Sequence, residues 1–255
     1  MLLTADIGNT NITLALFDND KYINEFRLAS DRDLSKDEYE VLLKSLFKDY
    51  YIEGCVIASV VEELNVKFKR AVDSVFHINS VFVDSTIDLG IKIATDNPAQ
   101  VGADRIANAV AASKNYNGAV IVIDFGTATS FDIINSKSEF LGGVIAPGIN
   151  TQMKCLKSST SKLPKIEVSI SNNAIGHNTT DAILSGVIRG TACMVDGLVE
   201  QCEKELGEKA TIVATGGYCG LIANYLNRPF DYVNPILTLQ GLKLIYEMNK
   251  EKVKA

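Results

Sequence analysis

The sequence predicts an α/β protein made of two similar lobes. Two observations carry that expectation: strand-like and helix-like stretches alternate along the chain, and one strand–turn–strand motif occurs twice. The first copy is LLTADIGNTNITLALFD at residues 2–18, and the second is AVIVIDFGTATSFDII at residues 119–134. Superposed without a gap, they place Asp6 on Asp124, Gly8 on Gly126 and Asn9 on Thr127. A duplicated half-chain unit follows, with lobes at 1–117 and 118–255. Each is expected to be a mixed sheet with helices, and a cleft is expected between them.

The remaining elements follow from periodicity and punctuation. Residues 22–28 read as a third strand, and 35–48 as an amphipathic helix from the spacing of Tyr39, Leu42, Leu43, Leu46 and Phe47. Residues 54–60 suit a buried strand, 64–76 a helix and 81–83 a short strand. Asn97-Pro98 is a helix-start signal for a pattern that runs to Tyr116. In the second half, 139–145 reads as a strand leading into Gly142-Gly143 and Ala146-Pro147-Gly148, where backbone must come close to something. Residues 154–171, rich in Ser, Thr and Lys, read as a loop, 179–206 as a long helix, and 210–214 as a strand followed by Thr215-Gly216-Gly217. A helix at 238–248 closes the chain.

Composition sets the class. The 255 residues are 47% hydrophobic and 22% charged, globular proportions for a chain able to bury roughly three quarters of its unfolded surface. A formal net charge of −6 leaves no broad basic surface, so neither nucleic acid nor an anionic membrane is an expected partner. Cys55, Cys155, Cys193, Cys202 and Cys219 are odd in number and form no Cys-x-x-Cys pair, which argues against a disulfide framework or a zinc site. With no signal peptide before Asp6 and no run taken to approach a membrane span, a cytoplasmic protein is expected.

The hairpins carry the chemistry. Gly126 and Gly8 let another group approach the backbone, while Asp124 with Thr127, and Asp6 with Asn9, bring a carboxylate and a polar side chain to each turn. Such turns suit a phosphate and its cation, although an Asp and a Thr at one turn also serve as ordinary local caps. Two copies facing each other would supply carboxylates and amides from both sides, as a nucleoside triphosphate and its metal require. Neither motif is a Walker loop or a dinucleotide fingerprint, because a strand follows each glycine and no Gly-x-x-x-x-Gly-Lys occurs. His77 and His177 neighbour no Ser or Cys nucleophile in sequence and read as structural.

This pattern resembles the actin-like (ribonuclease H-like) fold of actin, hexokinase, acetate kinase and the large heat-shock chaperones. Within it the chain is most similar to the type III pantothenate kinases, through Asp6-Ile7-Gly8-Asn9-Thr10, Gly102-Ala103-Asp104-Arg105, Asp124-Phe125-Gly126-Thr127-Ala128, Gly142-Gly143 with Pro147-Gly148, and Gly176 with Asn178-Thr179. The resemblance implies ATP-dependent phosphorylation of pantothenate, the first step towards coenzyme A, with Asp104 as the general base. It implies that Asp6, Ile7, Gly8, Asn9, Thr10, Asn11, Ile12 and Thr13 cradle the ATP phosphates, that Asp6 acts on Mg²⁺ directly or through water, and that Thr127 also touches the phosphates. Gly102, Ala103, Asp104, Arg105 and Thr179 would meet the substrate, and Asp124 would hold a monovalent cation, K⁺ or NH₄⁺. The family's substrate-contacting Tyr is replaced here by Thr95. A non-catalytic nucleotide switch, or a kinase of another small alcohol, are the competing functions on the same fold.

Residues 179–206 also suggest assembly. Ile183, Val187, Gly190, Met194 and Gly197 form one apolar stripe, and Leu184, Ile188, Val195 and Val199 a second on a neighbouring face. A surface helix needs only one, and Gly186 and Gly190 would let another helix approach closely. A two-fold homodimer is expected, and the resemblance implies that it delivers Thr179 to the other subunit's substrate site.

Overall fold

The computed structural model describes residues 1–158 and 166–254, with side chains as far as 251. These form two compact units, Met1–Lys114 with Ile236–Ala255, and Asn115–Pro235. In the first unit β1 (Leu2–Ile7), β2 (Asn11–Asp18) and β3 (Lys21–Ala29) make an antiparallel meander. The strands β4 (Gly54–Ser59) and β5 (Val81–Phe82) extend it in parallel from β1, giving the order β3-β2-β1-β4-β5. Helix α1 (Lys36–Leu46) starts at a capping box, in which the Ser35 side chain accepts from the Glu38 amide and Glu38 bonds back to the Ser35 amide. With α2 (Glu62–Phe76) it covers one face, packing Tyr39, Leu43, Leu64 and Phe68 on Leu3, Ala5 and Ile7. A two-residue strand β6 (Lys92–Ile93) and a 3₁₀ turn (Pro98–Gln100) lead to α3 (Ala103–Asn115).

The second unit repeats the plan. β7 (Ala119–Phe125), β8 (Ala128–Ile134) and β9 (Glu139–Pro147) form an antiparallel meander, and β10 (Ala210–Gly216) and β11 (Tyr232–Val233) add in parallel beyond β7. The order β9-β8-β7-β10-β11 matches that of the first unit strand for strand and sense for sense. The intervening helices are α4 (Ile149–Ser158), α5 (Thr179–Leu184), a π-helical turn (Ser185–Arg189), α6 (Gly190–Leu206) and the short α7 (Cys219–Ile222).

The last helix, α8 (Leu237–Lys254), lies in the first unit, whereas the sequence predicts a second lobe over 118–255. Packing explains the placement. Leu239, Leu242, Ile245 and Tyr246 bury against Leu2, Ala15, Phe17, Val56 and Ala58 of the sheet and Ile106, Ala107 and Val110 of α3. Two glycines permit the approach: a β-carbon at Gly241 would strike the Ala107 carbonyl, and one at Gly54 would strike the Tyr246 hydroxyl. Thr238 also donates from Oγ1 to Asn108 Oδ1 at 2.7 Å.

Four further expectations need correction. The two hairpins do not superpose without a gap. Asp6 pairs with Thr13 but Asp124 with Ser130, so the second turn is one residue shorter, its Gly126 amide reaching Ala128 O where Gly8 reaches Asn11 O. The helix signalled by Asn97-Pro98 is only the 3₁₀ turn, and the Asn97 side chain makes no cap, because α3 starts afresh with Ile106 N–H donating to Gly102 O. The loop expected at 154–171 begins as the end of α4, and its 159–165 portion lies outside the described residues. Contrary to the expectation of no span-length run, Thr179–Leu206 is long and apolar enough by composition to cross a membrane. Its apolar faces are nonetheless used inside the unit: Val187, Ile188, Ala192, Val195 and Val199 are buried in the core, and Ile183 and Met194 pack partly against it. Most of both apolar stripes is therefore covered by the chain itself.

Candidate active site

In the first unit the parallel pairing of β1 with β4 sets the geometry. Ile7 lies opposite Ser59, and the next residue, Val60, donates its N–H to Ile7 O at 3.0 Å. A β-carbon at Gly102 would lie 3.5 Å from Val60 Cγ1, so residues 102–105 meet the sheet at the end where β1 passes into the turn at Gly8. Asp104 and the first hairpin turn thus share one sheet edge. The same β-carbon would come 2.6 Å from Asp104 Oδ1, which means that the carboxylate folds back over Gly102 and would have to move if that residue carried a side chain. Arg105 N–H donates to that oxygen at 2.8 Å.

Burial pushes the Asp104 carboxyl above its ordinary value, and the Arg105 N–H and guanidinium only partly offset it. A carboxylate in this state is a better proton acceptor than an exposed one, and its place in the first turn of α3 keeps the charge tolerable. Thr95 is half-buried, and its Oγ1 is a buried atom with no hydrogen-bond partner. An orphaned buried hydroxyl in a folded chain is uncommon and fits a donor or acceptor arriving with a ligand.

Of the turn residues singled out in the sequence, Asn9, Thr10 and Asn11 are exposed, Asp6, Gly8 and Thr13 half-buried, and Ile7 and Ile12 fully buried. The last two can offer a phosphate only backbone. Asp6 is in register with Thr13 on β2 and Ala58 on β4, so the carboxylate and the hydroxyl stand side by side on one face.

In the second unit Asp124 stands half-buried near the end of β7, in register with Ser130 and Thr215, and Thr127 is exposed at the turn. Gly216 has φ +88°, and a β-carbon there would sit 2.7 Å from Asp124 Oδ1. The glycine is what lets the carboxylate lie against β10. Burial, and then the Asp124 charge, push the nearby Cys219 thiol up to about 12, so it stays protonated and inert. Thr179 is exposed at the first turn of α5, whose cap is Asn178, with Oδ1 accepting from Asp181 N–H at 2.9 Å. His77 closes α2 in the left-handed conformation and His177 is an exposed loop residue. Among the described residues no group of three His, Cys, Asp or Glu could hold a metal by itself. Asp6 and Asp124 each bring one half-buried carboxylate to a hairpin turn, a donor chemistry that fits a hard cation shared with phosphate oxygens.

The same five-strand order thus occurs in both units, each with an Asp-x-Gly turn after its first strand. ROK hexokinase from Thermus thermophilus aligns over 96% of this chain and 97% of its own with a TM-score of 0.51 at 10% identity, a likeness of fold. A Baf-family protein from Campylobacter jejuni aligns over 98% and 99% with a TM-score of 0.62 at 24% identity, again a likeness of fold. The type III pantothenate kinase family model matches residues 2–201, and the chain belongs to that family. It is 44% identical over 254 residues to the type III pantothenate kinase of Dehalococcoides mccartyi strain CBDB1, covering 98% of this chain and 96% of that one. The enzyme of the same description from Exiguobacterium sp. is 40% identical over 256 residues, covering 98% and 100%.

The contact between Gly102 and the carboxylate makes a sharp expectation. Gly102→Ala should displace Asp104 and lower kcat for phosphoryl transfer by about tenfold or more, since small misplacements of a reacting group are costly, with little change in melting temperature. Unchanged turnover in that variant would show that the carboxylate's position is immaterial.

Proposed function

We propose that this protein transfers the γ-phosphoryl group of ATP to the primary hydroxyl of pantothenate, giving 4′-phosphopantothenate, the entry step to coenzyme A. Family membership supplies the substrates, and the observation that carries the mechanism is Asp104, a desolvated carboxylate of raised proton affinity at the sheet edge that also bears the first phosphate turn. An alcohol is a poor nucleophile, so a carboxylate that accepts its proton as it attacks lowers the barrier. A nucleotide switch needs no such base.

The other roles follow from chemistry and position. Residues 6–13 bind the phosphates mainly through backbone amides, Asp6 holds Mg²⁺ directly or through water, and Thr127 contributes a hydroxyl to the phosphates. The Mg²⁺ would neutralise charge that develops on the transferring group. Asp124, a carboxylate with a glycine against it, takes K⁺ or NH₄⁺. Gly102, Ala103, Arg105 and the orphaned Thr95 hydroxyl meet pantothenate, with Arg105 pairing with its carboxylate end. Thr95 is a smaller group than Tyr, and its unpaired oxygen gives it a reason to take part. The reaction runs in the cytoplasm.

Asp104→Asn is expected to keep ATP affinity and to lose two to four orders of magnitude in kcat, about the range for a positioned acid–base group, in an assay that offers ATP with a panel of alcohols including pantothenate. Near-wild-type turnover would overturn the role of Asp104, and phosphorylation of another alcohol in preference would overturn the substrate.

The active form is a homodimer. Ala182, Gly186, Gly190 and Cys193 leave one narrow side of the Thr179–Leu206 helix exposed, and β-carbons at Gly186, Gly190 and Gly197 would meet nothing within 4 Å. Beside this stripe, Ser185 Oγ holds the Ala174 carbonyl, and the next residue, Ile175, is 75% exposed. An exposed Ile next to a smooth helix face suits a second copy. Equilibrium sedimentation should give twice 27.7 kDa at micromolar concentration. Mixing inactive Asp104→Asn with inactive Thr179→Arg subunits should restore part of the activity, and a monomer, or no recovery, would contradict a shared site.

A further inference from the structure

The two hairpin turns are each clasped from behind by the residues that follow the third strand of their own sheet. In the first unit Asn11 pairs with Ala29, and the next residue, Ser30, donates N–H to Thr10 O at 3.0 Å and its hydroxyl to Gly8 O. In the second unit Ala128 pairs with Pro147, and the next residue, Gly148, donates N–H to Thr127 O at 3.1 Å, while the Thr151 hydroxyl donates to the same oxygen at 2.7 Å. The positions are equivalent by register, and at each a backbone N–H and a side-chain hydroxyl pull turn carbonyls towards the end of the third strand. Gly148 shows how close the clasp is, since a β-carbon there would strike Gly126 O and come within 2.6 Å of Thr127 O.

A turn that receives an anion must turn its carbonyl dipoles away from it, because each carbonyl oxygen facing a phosphate is repulsive where an N–H would attract. We propose that Ser30 and Thr151 are positioning residues for the reaction: they hold the carbonyls of Gly8 and Thr127 back and so preset the phosphate turns before nucleotide arrives. This rests on the reading of both turns as phosphate-binding. The two hydroxyls come from unrelated places, one on the residue after β3 and the other in the first turn of α4, yet they serve equivalent turns. A hydroxyl present only for general stability need not bond a turn carbonyl in both repeats.

The test uses the full-length protein with Ser30→Ala and Thr151→Val, and the hydroxyl-retaining variants Ser30→Thr and Thr151→Ser. Calorimetry reads the affinity for ATP and for adenosine, which lacks phosphates. Loss of one neutral hydrogen bond should weaken ATP by about three- to tenfold, leave adenosine unchanged, and be reversed in the hydroxyl-retaining variants. The KM for ATP should rise while that for pantothenate does not. Equal weakening of ATP and adenosine, or a fall in melting temperature with no change in ATP affinity, would make the hydroxyls merely structural and overturn the proposal. Wild-type protein that binds no ATP would instead overturn the reading of the turns, so the two failures are distinguishable.

Discussion

The arrangement depends first on the parallel pairing of β1 with β4. It fixes the register that places Ile7 against Ser59, ties Val60 to the Ile7 carbonyl, and through Val60 seats Gly102 at the sheet edge. A slip of one residue would turn Asp6 into the core that holds Leu3, Ala5 and Ile7, and bring an apolar side chain out in its place. Register is well protected here. Both faces of the sheet are covered, one by α1 and α2 and the other by α3 and α8, so that neither alternation can be exchanged without burying the carboxylate unpaired.

The second unit reaches an equivalent edge with the same strand order and different helices. That contrast separates what duplication preserves from what it leaves open. The meander and the two parallel strands recur, and so do the aspartate, the glycine and the clasp on the turn. The covering helices differ, because any amphipathic helix of suitable length can bury one sheet face. Three glycines mark places where close approach is the requirement, Gly102 under Asp104, Gly148 against its turn and Gly241 against α3, while Gly216 under Asp124 combines close approach with a positive φ.

Much of this was legible in the sequence. The repeated strand–turn–strand pattern of 2–18 and 119–134 carries both hairpins, and the spacing of Tyr39, Leu42, Leu43, Leu46 and Phe47 carries the first helix on one face. What was not legible depended on pairing across the chain. The shorter second turn is invisible because Gly126 and Thr127 match Gly8 and Asn9 before the missing residue is felt. Asn97-Pro98 carries every local sign of a helix start, yet the glycine that lets Asp104 fold back begins the helix again at Gly102. The last helix sits with the first unit because of its contacts with β1, β2 and β4, strands at the other end of the chain. Ser30 carries no local signal, because a serine after a strand is ordinary. Its signal was that it follows its hairpin as Pro147-Gly148 follows the other.

Asp104 is where fold and chemistry meet, since the same desolvation that makes its charge costly makes it a stronger base. In the proposed role Asp104 must be ionised to accept the proton, so a raised proton affinity moves the loss of activity upward in pH. The most direct measurement is the pH dependence of kcat with saturating ATP and pantothenate. The account expects activity to fall as pH drops through one ionisation clearly above the ordinary aspartate value of about 3.9, and expects that limb to disappear from the residual activity of Asp104→Asn. An acid limb at or below the ordinary value, or one that persists unchanged in the variant, would contradict it.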